Sequence, residues 1–410
     1  MAKNNNLTDF LTGVADAIRT KKGTTDLINP QDFESEIASI SGGGEQPTGD
    51  YAVKVIEYDG TVLLETKGKT GDIITLPTAP THDKLVFQEW SASVAVTNNT
   101  VTIEDNDVMV GAIYKTASGE SEFDINLTAV TGLSVTLKMD GTKEWGDGTS
   151  DTATTHTYAA YGEYTIKCDG TTMNTSNNSG LFGQSNSAIN YYCVRARLAN
   201  VTTLGNFAFS NCYSLINITL PTGITNISQA LFSNCRSLKS LVIPSSVTSI
   251  GTQAFMFCQV LTSLVIPSGV TGIGTQSFLS CYSLTNISLP KGATSIGGFA
   301  NCYALPKIIL PSSLLSINSQ GLAYCNSLTS LIIPSSVRSI GAQAFQRCYS
   351  ITKYDFSQHT SVPTLSDANA FQYINGICKI IVPDSLANEW VAATNWSTYA
   401  DYIYKASEVQ

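Results

Sequence analysis

The sequence predicts a multidomain, mainly β chain whose C-terminal half is a repeat solenoid closed by a cap. Three observations carry that reading. One short phrase recurs between about residues 204 and 349, with prolines at Pro221, Pro244, Pro267 and Pro290 and cysteines at Cys212, Cys235, Cys258 and Cys281, each 23 residues after the last. A fixed period of this size marks coils stacked one on the next. Before each proline the pattern alternates, with Ile218 and Leu220 inward and Thr219 at the exposed position, as in a strand with one buried face. Finally, 410 residues is too long for one ordinary core, and Ser41-Gly42-Gly43-Gly44 reads as a flexible boundary.

Composition narrows the function classes. Charged residues make up 13% of the chain, about half the usual share, against 43% hydrophobic residues. A net charge of −9 with a pI near 4.9 argues against a general nucleic-acid binder. The acids are unevenly placed: none falls between Val201 and Ser350, where Arg236, Lys239, Lys291, Lys307, Arg338 and Arg347 lie. That basic stretch points toward anionic cell-wall or capsular polymers. The polar start Met1-Ala2-Lys3-Asn4 is unlike a secretory signal, and no apolar run nears the roughly 18 residues that span a bilayer. Folding in a cytoplasm, with no membrane insertion, is the expectation.

Residues 1–40 read as two short helices, with Leu7, Phe10, Leu11, Val14 and Ile18 as one apolar stripe and Phe33, Ile37 and Ile40 as the other. Pairs this short need a partner or self-association, unless they fold back on their own chain. The wording from Leu7 to Arg19 and from Ile28 to Phe33 resembles the N-terminal segment of tail proteins from phages of gut Firmicutes. That resemblance implies attachment to other tail proteins. Residues 41–50 are the linker.

Residues 51–118 alternate like strands, with a turn at Asp59-Gly60. Leu76-Pro77-Thr78-Ala79-Pro80 and Phe87-Gln88-Glu89-Trp90 resemble the Listeria–Bacteroides repeat, which implies a β-grasp-like spacer. Trp90 reads as a core residue, with a sugar platform as the alternative. Residues 119–172 carry Trp145-Gly146-Asp147-Gly148-Thr149, His156-Thr157-Tyr158 and Gly162-Glu163-Tyr164. These are similar to the polycystic-kidney-disease (PKD) domain, implying an immunoglobulin-like β-sandwich. Asp147 alone falls far short of the about six to eight oxygens calcium takes, and reads as a turn residue. Asn174 to Ala188 reads as a loop at the solenoid's entry.

The repeats occupy residues 190–375. Ile227, Ile250, Ile273, Ile296, Ile317 and Ile340 form one buried row, and Phe232, Phe255, Phe278, Phe299, Leu322 and Phe345 another. Cys212 through Cys348 occupy one position of successive coils, where parallel side chains favour free buried thiols over disulfides. Pro290 to Pro311 is two residues short, which predicts a local bend. The consensus Ser-Leu-x-x-Ile-x-Ile-Pro-x-x-Val-x-x-Ile-Gly-x-x-Ala-Phe-x-x-Cys resembles the BspA-type leucine-rich repeat, an adhesive scaffold. Residues 376–410 should cap the last coil, with Asp384 as a helix N-cap and Trp390 and Trp396 packed inside.

The residue after each cysteine forms the candidate receptor-binding row: Tyr213, Arg236, Gln259, Tyr282, Tyr303, Asn326 and Tyr349. Tyrosine and arginine there suit stacking and hydrogen bonding to glycans or protein loops. Tyrosine covering the neighbouring coil is the plainer alternative. The three histidines, His82, His156 and His359, lie in different modules, and no nucleophile elbow, zinc motif or phosphate loop occurs. No catalytic residue, cofactor or metal ligand is expected. The sequence therefore points to a non-enzymatic phage tail protein of the virion binding host polysaccharide or protein, with a homo-oligomer among the assemblies its N-terminal helices would allow. A BspA-type bacterial surface adhesin is the alternative, and a glycan-degrading tail spike a third.

Overall fold

The computed structural model describes residues 51–128, 133–173, 180–182 and 192–409. The expected helices of residues 1–40, the linker, and all of the 174–188 loop except 180–182 lie outside the described residues.

The first β unit is built from β1 (Tyr51–Ile56), β2 (Val62–Gly68), β3 (Ile73–Thr75), β4 (Leu85–Ala92), β5 (Val96–Thr97), β6 (Thr100–Thr102) and β7 (Val108–Thr116). Its main sheet runs β2-β1-β7-β4, with β1 and β7 parallel, and a small β3-β6-β5 sheet beside it. Gly60 takes the left-handed φ of +91° at the β1–β2 turn, where Asp59 Oδ1 accepts the Thr61 amide at 2.9 Å. Trp90 is buried with Val53, Val55, Val110 and Tyr114, so it is a core residue and no sugar platform.

The second β unit comprises β8 (Ser121–Asn126), β9 (Ser134–Thr136), β10 (Lys143–Glu144), β11 (Ser150–Asp151), β12 (Thr155–Thr157) and β13 (Glu163–Cys168). Asp147 is the turn residue expected: its carboxylate accepts from Thr149 N at 3.0 Å, Thr149 Oγ1 at 2.6 Å and His156 Nε2 at 2.7 Å. The Thr149 hydrogen bond, with help from His156, lowers its pKa to about 2. The unit shares its sheet with the solenoid. Its sheet continues as β11-β10-β13-β8 and then into β14 (Cys193–Arg197) and β15 (Asn217–Thr219), the first strands of the solenoid. An open first coil would leave a bare strand edge, and antiparallel pairing of β8 with β14 covers it.

From β14 onward parallel strands stack coil on coil. Ser240–Val242, Ser263–Val265 and Asn286–Ile287 pair in register, as do Ser330–Ile332, Lys353–Asp355 and Lys379–Val382. A second ladder of two-residue strands carries the isoleucine row, from Asn226–Ile227 to Thr364–Leu365. The third side is a phenylalanine stack, with ring centroids 5.8, 5.4, 5.4 and 4.8 Å apart from Phe209 through Phe299. Both ladders break at the short coil. Pro306 has no amide to donate there, and the missing residues bring Phe278 and Phe299 closest of the series.

The parallel ladder passes residue 375: Lys379–Val382 pairs with Lys353–Asp355 and then with Ile403–Lys405. Helix α1 (Ala387–Ala392) crosses between them. Asp384 is not its N-cap; it opens a short 3-10 turn and accepts the Ser407 amide at 3.0 Å. Trp390 and Trp396 are fully buried against Phe356. Among the described residues no helix is long and apolar enough to cross a membrane.

The first β unit also packs on the solenoid. Ile56, Met109 and Ile113 pack on Val242 and Val265 of the solenoid. Ser91 Oγ donates to Ile243 O at 2.5 Å, Asn106 Nδ2 to Leu289 O at 3.0 Å, and Ser288 Oγ to Asp107 O. Glu89 accepts from both the amide and hydroxyl of Ser245. Val242 and Val265 stand where the alternation expects exposed side chains, and covering them is what the first unit does. Thr219, expected to be exposed, is also buried.

Candidate functional site

Most coils turn twice through left-handed backbone without glycine; the short coil does so only at Asn301. One corner holds Gln253, Gln276, Gln320 and Gln343, with φ of 55–58°; the other holds the residue before the cysteine, including Asn234, Phe257, Tyr324 and Arg347, with φ of 57–62°. Such φ values are uncommon outside glycine, and here each has a partner to hold it. The Phe257, Tyr324 and Arg347 amides donate to Leu279, Gln346 and Gln372 carbonyls on the next coil at 2.8–2.9 Å. This corner swings the following cysteine inward and the residue after it outward.

The ten cysteines form no disulfide and are buried. The Sγ atoms of Cys235, Cys258, Cys281 and Cys325 donate to the carbonyls of Phe209, Phe232, Phe255 and Phe299 at 3.1–3.2 Å. Each thiol thus satisfies a carbonyl of the preceding coil, which explains a ladder of thiols rather than disulfides. Burial pushes their pKa values upward, Cys348 to about 12. A thiolate reagent at pH 8 is therefore expected to leave the native thiols unmodified and to titrate all ten after unfolding. Fast labelling of the folded protein would contradict this packing.

The outward row divides into separate stacks. Arg236 lies over the Tyr213 ring, 4.3 Å from its centroid. Tyr282 and Tyr303 stack at 5.1 Å with planes 4° apart. Gln259 is half-buried between these pairs, and Asn326 is half-buried beyond them. Tyr349 is 50% exposed and Tyr303 40% exposed, whereas Tyr213 and Tyr282 are half-buried. The tyrosines both cover neighbours and present an edge. Burial, then the neighbouring Tyr282 and Tyr324, raises the Tyr303 pKa, so its hydroxyl is a neutral donor at ordinary pH.

Sequence reading missed a second row beside the first. Arg347 is held between Tyr324, at 5.4 Å, and Tyr373, at 4.7 Å and 53% exposed. These three sit at the left-handed corner. The signal was present: Asn211, Asn234 and Asn301 occupy the same position, and asparagine tolerates that conformation best among residues with side chains. Together the rows make one edge of aromatic and guanidinium groups suited to stacking and hydrogen bonding.

The expectation of a bare basic surface is corrected. Lys291 Nζ lies 2.9 Å from Glu104 and 3.4 Å from Asp105, and Lys307 Nζ lies 3.0 Å from Asp107. The first β unit supplies acids for these two of the six cations, while Arg236 and Arg347 lie over tyrosine rings. Among the described residues no group of three or more His, Cys, Asp or Glu is placed to hold a metal ion.

Residues 196–298 and 297–390 match the family model for the BspA type leucine rich repeat region, in six copies. The solenoid is a leucine-rich-repeat region of that type. Solved structures are similar at low identity. A leucine-rich repeat protein from Bacteroides ovatus is 26% identical with a TM-score of 0.39, covering 55% of this chain and 61% of its own. A leucine rich cell surface protein from Faecalibacterium prausnitzii is 23% identical with a TM-score of 0.31, covering 51% of this chain and 70% of its own. The pneumococcal vaccine antigen PcpA is 18% identical with a TM-score of 0.33, covering 50% and 64% respectively. The chain therefore spans less than two thirds of the Bacteroides structure it matches. No curated protein matches it.

Proposed function

We propose that this chain is a non-enzymatic binding protein of a phage tail that engages the bacterial host surface through the tyrosine–arginine edge of its solenoid. The observation that carries the binding reading is the run of surface stacks, half-buried on one side and exposed on the other: Tyr213 with Arg236, Tyr282 with Tyr303, and Arg347 between Tyr324 and Tyr373. Preformed stacks lose little side-chain freedom on binding, which favours recognition of host polysaccharide or protein loops. The tail context rests on the wording of residues 7–33, which would join other tail proteins or a second copy. A bacterial surface adhesin of the BspA type would use the same edge equally well. The two differ in location: antibody labelling should find the protein on virions in the first case and on cells in the second.

The edge is tested by replacing Tyr282 and Tyr303 together with alanine. Both rings lie outside the phenylalanine stack, so the melting temperature should hardly change. Retention on host cell walls is expected to fall roughly tenfold or more. Undiminished retention with both rings removed would discard the edge as the contact surface.

A further inference from the structure

Away from the tyrosine edge, several cations are paired with acids. Lys291 and Lys307 meet the first β unit, Lys353 meets Asp355 at 3.1 Å, and Arg197 meets Asp124 at 2.9 Å. On the edge the pattern changes. Arg236 and Arg347 lie over tyrosine rings, and among the described residues neither makes an ion pair. No Asp or Glu occurs between Val201 and Ser350 to supply one. The groups that bear most on the charge of Arg347 are the hydroxyls of Tyr373, Tyr324 and Tyr349, with no carboxylate among them. Two positive charges are thus set among aromatic rings with nothing to neutralise them.

The setting of Arg347 fixes how a ligand meets it. Tyr324 of the preceding coil and Tyr373 of the next hold its guanidinium from both sides, and its Nε is buried. The two terminal amino groups are left as the donors toward solvent. Parallel N–H groups on a clamped, planar guanidinium match the paired oxygens of a carboxylate or phosphate. Such charge-assisted bonds are roughly twice as strong as neutral ones. A neutral hydroxyl would take one donor and leave the charge unmatched.

Arg236 stands five coils away, about 24 Å at about 4.8 Å a coil, with the stack of Tyr282 on Tyr303 between them. Cation, aromatic pair and cation therefore follow one another along the edge. A small anion reaches one arginine only. A polymer bearing oxyanions at intervals reaches both, and lays a neutral stretch across the tyrosine pair. The whole chain carries a net charge of −9, so such a polymer gains nothing from the overall field. Its hold must come from these two points.

Resting on the reading of this edge as the host contact, we infer that its ligand is an anionic polysaccharide whose carboxylates or phosphates seat on Arg236 and Arg347. The edge thereby selects charged polymers over neutral ones.

The test measures binding of the full chain to polygalacturonate, poly(glycerol phosphate) and neutral dextran. At least one charged polymer is expected to bind, more weakly as salt rises, and which one it is names the oxyanion; dextran should not bind. The variants borrow from the protein's own coils. Arg347→Asn takes the residue found at the same corner in Asn211, Asn234 and Asn301, and Arg236→Gln the residue at Gln259. Each should leave the melting temperature nearly unchanged and weaken binding about fivefold or more. Arg347→Lys keeps the charge without the fork and should lose nearly as much. Arg338→Ala removes an equal, exposed charge beside the isoleucine ladder and should bind as the parent does. Silence from both charged polymers, equal binding of dextran, binding indifferent to salt, or an Arg338→Ala loss matching that of Arg347→Asn overturns the inference. If it falls while the Tyr282 and Tyr303 alanine pair still loses host cell walls, the edge remains the contact surface for a neutral ligand. If that pair is retained as well as the parent, the edge itself is discarded.

Discussion

Phe255→Ala is expected to cost about 3–5 kcal/mol, the largest effect of any single substitution considered. Phe255 is fully buried, with its ring 5.4 Å from both Phe232 and Phe278 and only 3° from the plane of Phe278. Removing it opens a cavity that coils above and below are too tightly stacked to close. In a solenoid each coil is held mainly by its neighbours, so the damage is local in origin and divides the array. Urea denaturation should show the lost stability. Hydrogen exchange should show protection falling most in the coils between Cys235 and Cys281, and least in the β8–β13 sheet and around Trp396. A loss below about 1 kcal/mol, or protection lost evenly along the chain, would mean that the phenylalanine stack is not what couples the coils.

That stack was legible in the sequence because one register repeats in every coil: once Phe255 is placed inward, a 23-residue step places Phe232 and Phe278 too. The positions of Tyr213, Tyr282 and Tyr303 were legible for the same reason. Which of them touch was not. Stacking of Tyr282 on Tyr303, and of Arg347 between Tyr324 and Tyr373, depends on left-handed corners that composition barely marks. The cover over the strand face was harder still. Val242 and Val265 at a nominally exposed position were a signal that something lies on them. Nothing in the repeats says that it is β7, more than a hundred residues earlier. The same distance hid the pairing of Lys291 and Lys307 with the 104–107 loop, and so made the repeats look more cationic than the folded surface is.

The docking of the first β unit gives the second prediction. Gly111 lies within β7, paired on both sides by β1 and β4, where any β-branched residue would suit the strand itself. A Cβ at that position would meet the Val242 methyls at 2.4 and 2.6 Å, closer than real contacts come. Gly111→Ala should therefore leave the first unit folded yet push it from the solenoid, costing about 1–3 kcal/mol by overpacking. Val242→Ala alone removes two buried methyl groups and should also destabilise. Combined, the two changes exchange volume across one contact, so the double variant should recover much of the loss, with a coupling of about 1 kcal/mol or more. Denaturation of all four members of the cycle reads this directly, and limited proteolysis at residues 117–120 should speed up in Gly111→Ala alone. Additive losses would place Gly111 and Val242 out of contact. The unit would then be held on the solenoid by its polar contacts, Ser91 to Ile243, Asn106 to Leu289 and Glu89 to Ser245, rather than by the fit of β7 on the valines.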